Sequence, residues 1–97
     1  MKVQTKSGFV WNVDPDRARD WRFCKYLALC DSDNGTEVLK GVTFCVPQLL
    51  GDDGEAALVK HVTNSKGIAP SDLIIKEFKE IIVLLGEESK KSQSSQG

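Results

Sequence analysis

Ser71-Asp72-Leu73-Ile74-Ile75-Lys76-Glu77-Phe78-Lys79-Glu80-Ile81-Ile82-Val83-Leu84-Leu85-Gly86 carries the clearest periodicity in the chain. Ile74, Phe78, Ile81, Ile82 and Leu85 recur at the spacing of one helical face, and Leu73, Ile75 and Val83 widen it. Lys76, Glu77, Lys79 and Glu80 fall on the other side. Pro70 or Ser71 opens this helix, and Gly86 is expected to stop it. Beyond it, residues 86–97 read GEESKKSQSSQG, with no apolar residue to offset the entropy of ordering. They are expected to form a flexible polar tail, which leaves residues 1–85 as a single domain.

Upstream of this helix, Asn64-Ser65-Lys66-Gly67 is a turn, with Gly67 the expected C-terminal cap of a preceding helix. That helix spans residues 53–64. Asp52 and Glu55 stand in capping-box spacing at its start, and Leu58, Val59 and Val62 face inward. His61 falls beside the inward face and has no second histidine to make it a metal site. A further helix opens at Gly35 or Thr36, with Val38, Val42, Cys45 and Leu49 at helical spacing and Leu39, Val46 and Leu50 beside them. Pro47 removes a backbone donor, and Val42, Thr43 and Val46 are β-branched. A break near residues 44–46 is therefore expected, with a final turn through Leu50; a short strand over 42–46 is the alternative.

Asp14 as N-cap and Pro15 as first residue start the first helix, which runs to about Asp31. Its stripe is Ala18, Trp21, Cys24 and Ala28, with Phe23, Leu27 and Cys30 alongside. Before it, Val3, Phe9, Trp11 and Val13 alternate across two short runs punctuated by Gly8. A three-residue turn over Lys6-Ser7-Gly8, with Gly8 left-handed, pairs Thr5 with Phe9 and Val3 with Trp11. The expected fold is thus α+β, mainly α, with an N-terminal β-hairpin packed on about four helices.

The 97 residues include 13 basic and 14 acidic side chains, a net charge of −1 with the signs interspersed. This lacks the basic face of a nucleic-acid binder, so no nucleic-acid partner is expected. The longest apolar run, 81–85, is far short of a membrane span, and MKVQTKSG has no signal-peptide stretch. Cys24, Cys30 and Cys45 are odd in number, lack CxxC spacing and sit among apolar neighbours, as reduced buried thiols of a cytosolic protein do.

No chemistry-bearing motif stands out. Asp31-Ser32-Asp33-Asn34-Gly35 resembles a calcium loop, but its glycine falls one place early and Val42 occupies the position of the bidentate glutamate. A helix–helix turn is the better account. No spacing joins His61 to a cysteine and an acid, and phosphate-cradling glycine loops are absent. No metal, cofactor or enzymatic activity is expected. Trp11, Trp21 and Phe78 are the aromatic residues that could anchor a protein interface, with Ile74, Ile81, Ile82 and Leu85 of the last helix beside them.

Three blocks in order resemble the tail assembly chaperones of siphophages and prophages of Gram-positive bacteria. The first is Thr5-Lys6-Ser7-Gly8-Phe9, followed by Val13-Asp14 and the acid–tryptophan pair Asp20-Trp21. The second is Leu49-Leu50-Gly51 before an acidic helix opening. The third is Gly67-Ile68-Ala69-Pro70 leading to Phe78-Lys79-Glu80-Ile81, then Leu85-Gly86 and a charged tail. Together they cover nearly the whole chain; Pro47, Phe44 and the cysteines depart from the pattern. The resemblance implies a protein that acts in the host cytoplasm and is absent from the finished virion. It implies binding to the tape measure protein and recruitment of tail tube protein, while the wide apolar stripe on two of the helices argues for self-association. A small head–tail connector and a small host-directed regulator are the competing expectations.

Overall fold

The computed structural model describes the backbone of residues 1–96 and the side chains of residues 1–87. Strands β1 (Lys2–Gln4) and β2 (Val10–Asn12) form an antiparallel hairpin. It packs against three helices, α1 (Trp21–Leu27), α2 (Gly35–Val62) and α3 (Ser71–Gln96). Among the described residues no helix is long and apolar enough to cross a membrane.

The hairpin has the register its turn dictates. Val3 lies opposite Trp11. Thr5 N–H donates to the Phe9 carbonyl at 2.9 Å, Gly8 N–H donates to the Thr5 carbonyl at 3.0 Å, and Gly8 has φ +95°. One face therefore presents Val3, Thr5, Phe9 and Val13, all buried, with Trp11 half-buried beside them. So short a hairpin is marginal alone, and the helices complete it.

The first predicted helix is divided. Asp14 caps a 3-10 turn over Pro15–Arg19, its side chain accepting from Asp16 N–H, and the chain then becomes extended at Asp20 (ψ 134°). Asp20 restarts the helix as the N-cap of α1, its carboxylate accepting from Arg22 and Phe23 N–H. The restart resets the helical phase. Phe23 and Cys30 turn inward, whereas Trp21 is 78% exposed and Cys24 is exposed, so the stripe through Trp21, Cys24 and Ala28 is the outer one. A second 3-10 turn, Ala28–Asp31, closes the segment.

Helix α2 holds the largest departure. Pro47 lies inside it without ending it, and neither a break at 44–46 nor a strand over 42–46 forms. The interruption comes instead at Gly51, with φ +79° and ψ 169°. A left-handed φ strains any residue with a Cβ, so the glycine decides the site of the bend. An isolated proline costs one ladder bond and can be absorbed where the surrounding face is packed; Cys45, Val46, Leu49 and Leu50 are all buried. Two arms result, over residues 35–50 and 52–62. The second ends at Thr63, and Gly67 (φ +78°) serves the Asn64 turn instead of capping the helix.

The interior is built on Phe23, Leu49, Leu58, Phe78 and Ile81, with the Phe23 and Phe78 rings edge-to-face at 6.4 Å. At Gly41, a Cβ would stand 2.5 Å from the Tyr26 carbonyl oxygen, so α2 lies hard against the end of α1. Helix α3 does not stop at Gly86 but runs through it to Gln96. One internal glycine costs only about 1 kcal/mol, and the Glu, Lys and Gln that follow are good helix formers.

Candidate protein-binding surface

Of the seven residues expected to bind protein, Phe78 and Ile81 lie fully inside this chain's own core. Their buried positions correct the expectation that they face a client. Trp11 is half-buried and structural. Its indole N–H donates to the Leu50 carbonyl at 3.0 Å, at the end of the first arm of α2. Close by, Arg17 donates to the Gln48 carbonyl at 3.2 Å. The hairpin and the 3-10 turn thus supply donors to carbonyls next to the bend. Gly54 permits the approach, since a Cβ there would stand 2.7 Å from Trp11 Nε1 and 2.5 Å from Leu50 Cβ. Trp21 is exposed, flanked by Asp20 and Arg22. The Arg22 guanidinium and backbone N–H hold the Asp20 carboxyl below the usual carboxylate range.

Ile74, Ile82 and Leu85 do reach the surface, in two different grooves. Ile82 and Leu85 of α3 line a depression with Ala18, Phe23 and Leu27. Ile74 and Ile75 line a second groove, of about 200 Å³, between both arms of α2 and the start of α3. The bend at Gly51 brings Leu39, Val42 and Val46 of the first arm and Leu58 and Val59 of the second to one wall system. Thr43 also lines it, but its hydroxyl is spent on the Leu39 carbonyl at 2.6 Å. Glu55 is the one charged lining residue and is half-buried.

Exposed large apolar side chains contribute to this groove. Among the described residues seven are exposed, and two of these, Leu39 (44%) and Val59 (40%), line it. Ile68 (55%) and Leu73 (39%) adjoin the lining residues Ala69 and Ile74 in sequence but do not line the groove themselves. The sequence signal for it was the adjacent apolar pairs Val38-Leu39, Leu58-Val59 and Ile74-Ile75. Neighbours on a helix are about 100° apart, so one member of each pair has to leave the core face.

A polar cluster at the hairpin tip was not legible from spacing. Glu77, expected on the solvent side, is only 5% exposed. The Thr5 and Ser7 hydroxyls each donate to its Oε1 at 2.7 Å. His61 Nε2 lies 2.9 Å from Ser7 Oγ, and Lys6 N–H donates to Glu80 Oε2 at 2.6 Å. With the serine proton committed to Glu77, His61 is the donor to Ser7. A hydrolytic triad needs the reverse wiring, with histidine accepting from serine and the acid holding the histidine. This cluster instead fastens the hairpin to α2 and α3.

Other sequence candidates have structural employment. In the Asp31–Gly35 segment, Ser32 Oγ accepts from Asn34 N–H and donates to Glu37, and the Asn34 side chain accepts from Thr36 and Glu37 N–H as the N-cap of α2. Cys45 is buried, and burial pushes its thiol up to about 12; burial raises Cys30 as well. Among the described residues no three metal-ligating side chains are grouped to hold an ion. No known protein family, curated protein or solved structure matches the chain.

Proposed function

We propose that this chain is a tail assembly chaperone of a siphophage or prophage. It binds the tape measure protein in the host cytoplasm, keeps its long helices soluble, and helps bring tail tube subunits to it. The observation that carries the reading is the apolar groove between the arms of α2 and the start of α3, with Leu39 and Val59 left open to solvent. A holding chaperone works by covering apolar helix surface and releasing it later, which requires an accessible apolar seat and no reactive group. The ordered blocks from Thr5-Lys6-Ser7-Gly8-Phe9 to Leu85-Gly86 supply the specific identity of the client. Many copies along one extended client raise the local concentration of each neighbour, so individually weak contacts suffice to coat it.

The test is co-expression with the tape measure protein, expected to be a long, coiled-coil-rich product of an adjacent gene. The tape measure protein should precipitate alone and co-elute in soluble form with the tagged chain. The chain should be missing from purified virions. An insoluble tape measure protein in its presence, or stoichiometric recovery of the chain from particles, would overturn the assignment.

A further inference from the structure

The α2–α3 groove has an uneven chemistry that narrows what it accepts. Its walls are mostly aliphatic, Leu39, Val46, Leu58, Val59, Ile74 and Ile75 among them, with the Thr43 and Ser71 hydroxyls at two positions. Its lone charge is the half-buried Glu55 carboxylate. Glu55 has no hydrogen-bond or ion-pair partner among the described residues. An occupant that covers the groove strips water from this carboxylate. Unless it brings a cation, the desolvation opposes docking. A wholly apolar or acidic segment is therefore disfavoured, and a segment with aliphatic anchors and one basic residue is favoured.

The groove is bounded by helices and offers no strand edge to extend, since both strands of the hairpin lie outside its lining. An extended peptide would leave most of its backbone groups over mainly aliphatic walls, whereas a helix satisfies its own. We infer that the groove seats one amphipathic helix of the client, anchored by aliphatic residues at i, i+3, i+4 and i+7, with a Lys or Arg set against Glu55. This deepens the chaperone proposal and rests on it for the identity of the client, but not for the chemistry of the seat.

The probes are two synthetic helical peptides of about 20 residues. They share a leucine stripe and differ only in whether the flanking charge is Lys or Glu, and binding to the full chain is read by fluorescence anisotropy. The wild-type chain should prefer the Lys peptide. Glu55→Lys should reverse the preference, and Leu39→Ser with Val59→Ser should weaken the Lys peptide by about tenfold or more. Both positions are exposed, so the double variant should keep its melting temperature, checked by circular dichroism on the same sample. Failure of the wild type to bind either peptide, a preference unmoved by Glu55→Lys, or undiminished binding by the double variant would each overturn the inference. Should the wild-type chain alone dimerise in sedimentation, and the double variant not, the seat belongs to a second copy and the helix assignment falls. The two proposals fail separately. A soluble tape measure complex that survives the double variant refutes the seat alone. Peptide binding by a chain that leaves the tape measure protein insoluble refutes the client alone.

Discussion

The two sides of this small domain are finished to different degrees. On the hairpin side, Val3, Phe9 and Val13 are buried, the Glu77 carboxylate takes two hydroxyls, and the Trp11 indole closes on the Leu50 carbonyl. On the groove side, Leu39 and Val59 stand open to solvent and Glu55 has no partner among the described residues. Folding explains the first side. The second leaves apolar surface in water that the fold itself does not require, which is the basis of the binding surface proposed above. Substitutions on the two sides should therefore separate cleanly, with stability lost on one and binding lost on the other.

The largest effect belongs to the interior that both sides share. Phe78→Ala removes a fully buried ring packed edge-on to Phe23, and should cost about 3–5 kcal/mol in urea unfolding, enough to unfold so small a domain. If Phe78→Ala leaves the domain folded and near full stability, Phe78 is not a core residue. Next comes the joint between hairpin and bend. Gly54→Ala places a methyl 2.7 Å from Trp11 Nε1 and should destabilise by about 1–3 kcal/mol. Trp11→Ala in the same chain should relieve the part of that cost due to the ring, while the Leu50 Cβ at 2.5 Å still crowds the added methyl. Equal costs of Gly54→Ala with and without the ring would show that Leu50, not the Trp11 ring, sets the penalty at this position.

Much of this closed side was legible because it follows local rules. The three-residue turn dictated the hairpin register, Asp14-Pro15 a helical start, and the spacing of Val42, Cys45 and Leu49 the buried face of α2. The failures have one physical origin, a choice between local signals that only tertiary contact decides. Pro47 advertised a break, yet Gly51 made it, because its left-handed backbone is joined there by the Trp11 indole from a distant strand. Asp20 lies inside the single helix expected from Asp14 to Asp31, and as a cap it rotated Trp21 out and Phe23 in. Glu77 read as solvent-facing and was drawn inside by hydroxyls about seventy residues away. The groove was half visible, as apolar pairs in excess of one face, but its walls come from three separate stretches of chain that periodicity does not bring together.

Two further measurements sharpen how tightly the closed interior is sealed. The Cys45 thiol is raised to about 12, whereas in the unfolded chain it ionises near 9. Between those values the folded state holds more protons than the unfolded state, so stability should fall as pH rises, by at most about 1.4 kcal/mol per pH unit. Cys45→Ala should flatten that slope; an unchanged slope would mean that the thiol is not sealed. At neutral pH a thiol reagent should label exposed Cys24 first, and Cys30 and Cys45 only on unfolding. At the hairpin tip, Glu77→Gln retains an acceptor oxygen but removes the charge, and should cost about 1 kcal/mol in urea unfolding. Glu77→Leu leaves both hydroxyls without their acceptor and should cost more; equal losses would mean that the carboxylate's bonds contribute little to fastening the hairpin.

The smallest stability effect is expected where the functional effect is greatest. Leu39→Ser and Val59→Ser remove apolar surface that the monomer leaves in water, and each should change folding stability by no more than about 0.5 kcal/mol. Trp21→Ala, at the exposed start of α1, should be as mild. The two kinds of site then part company in co-expression. The groove variants should lose the soluble tape measure protein while their unfolding curves overlay the wild type, and Trp21→Ala should keep it. If Leu39→Ser and Val59→Ser instead destabilise the chain by as much as Gly54→Ala, the groove is part of the core after all, and the distinction between a finished and an unfinished side disappears.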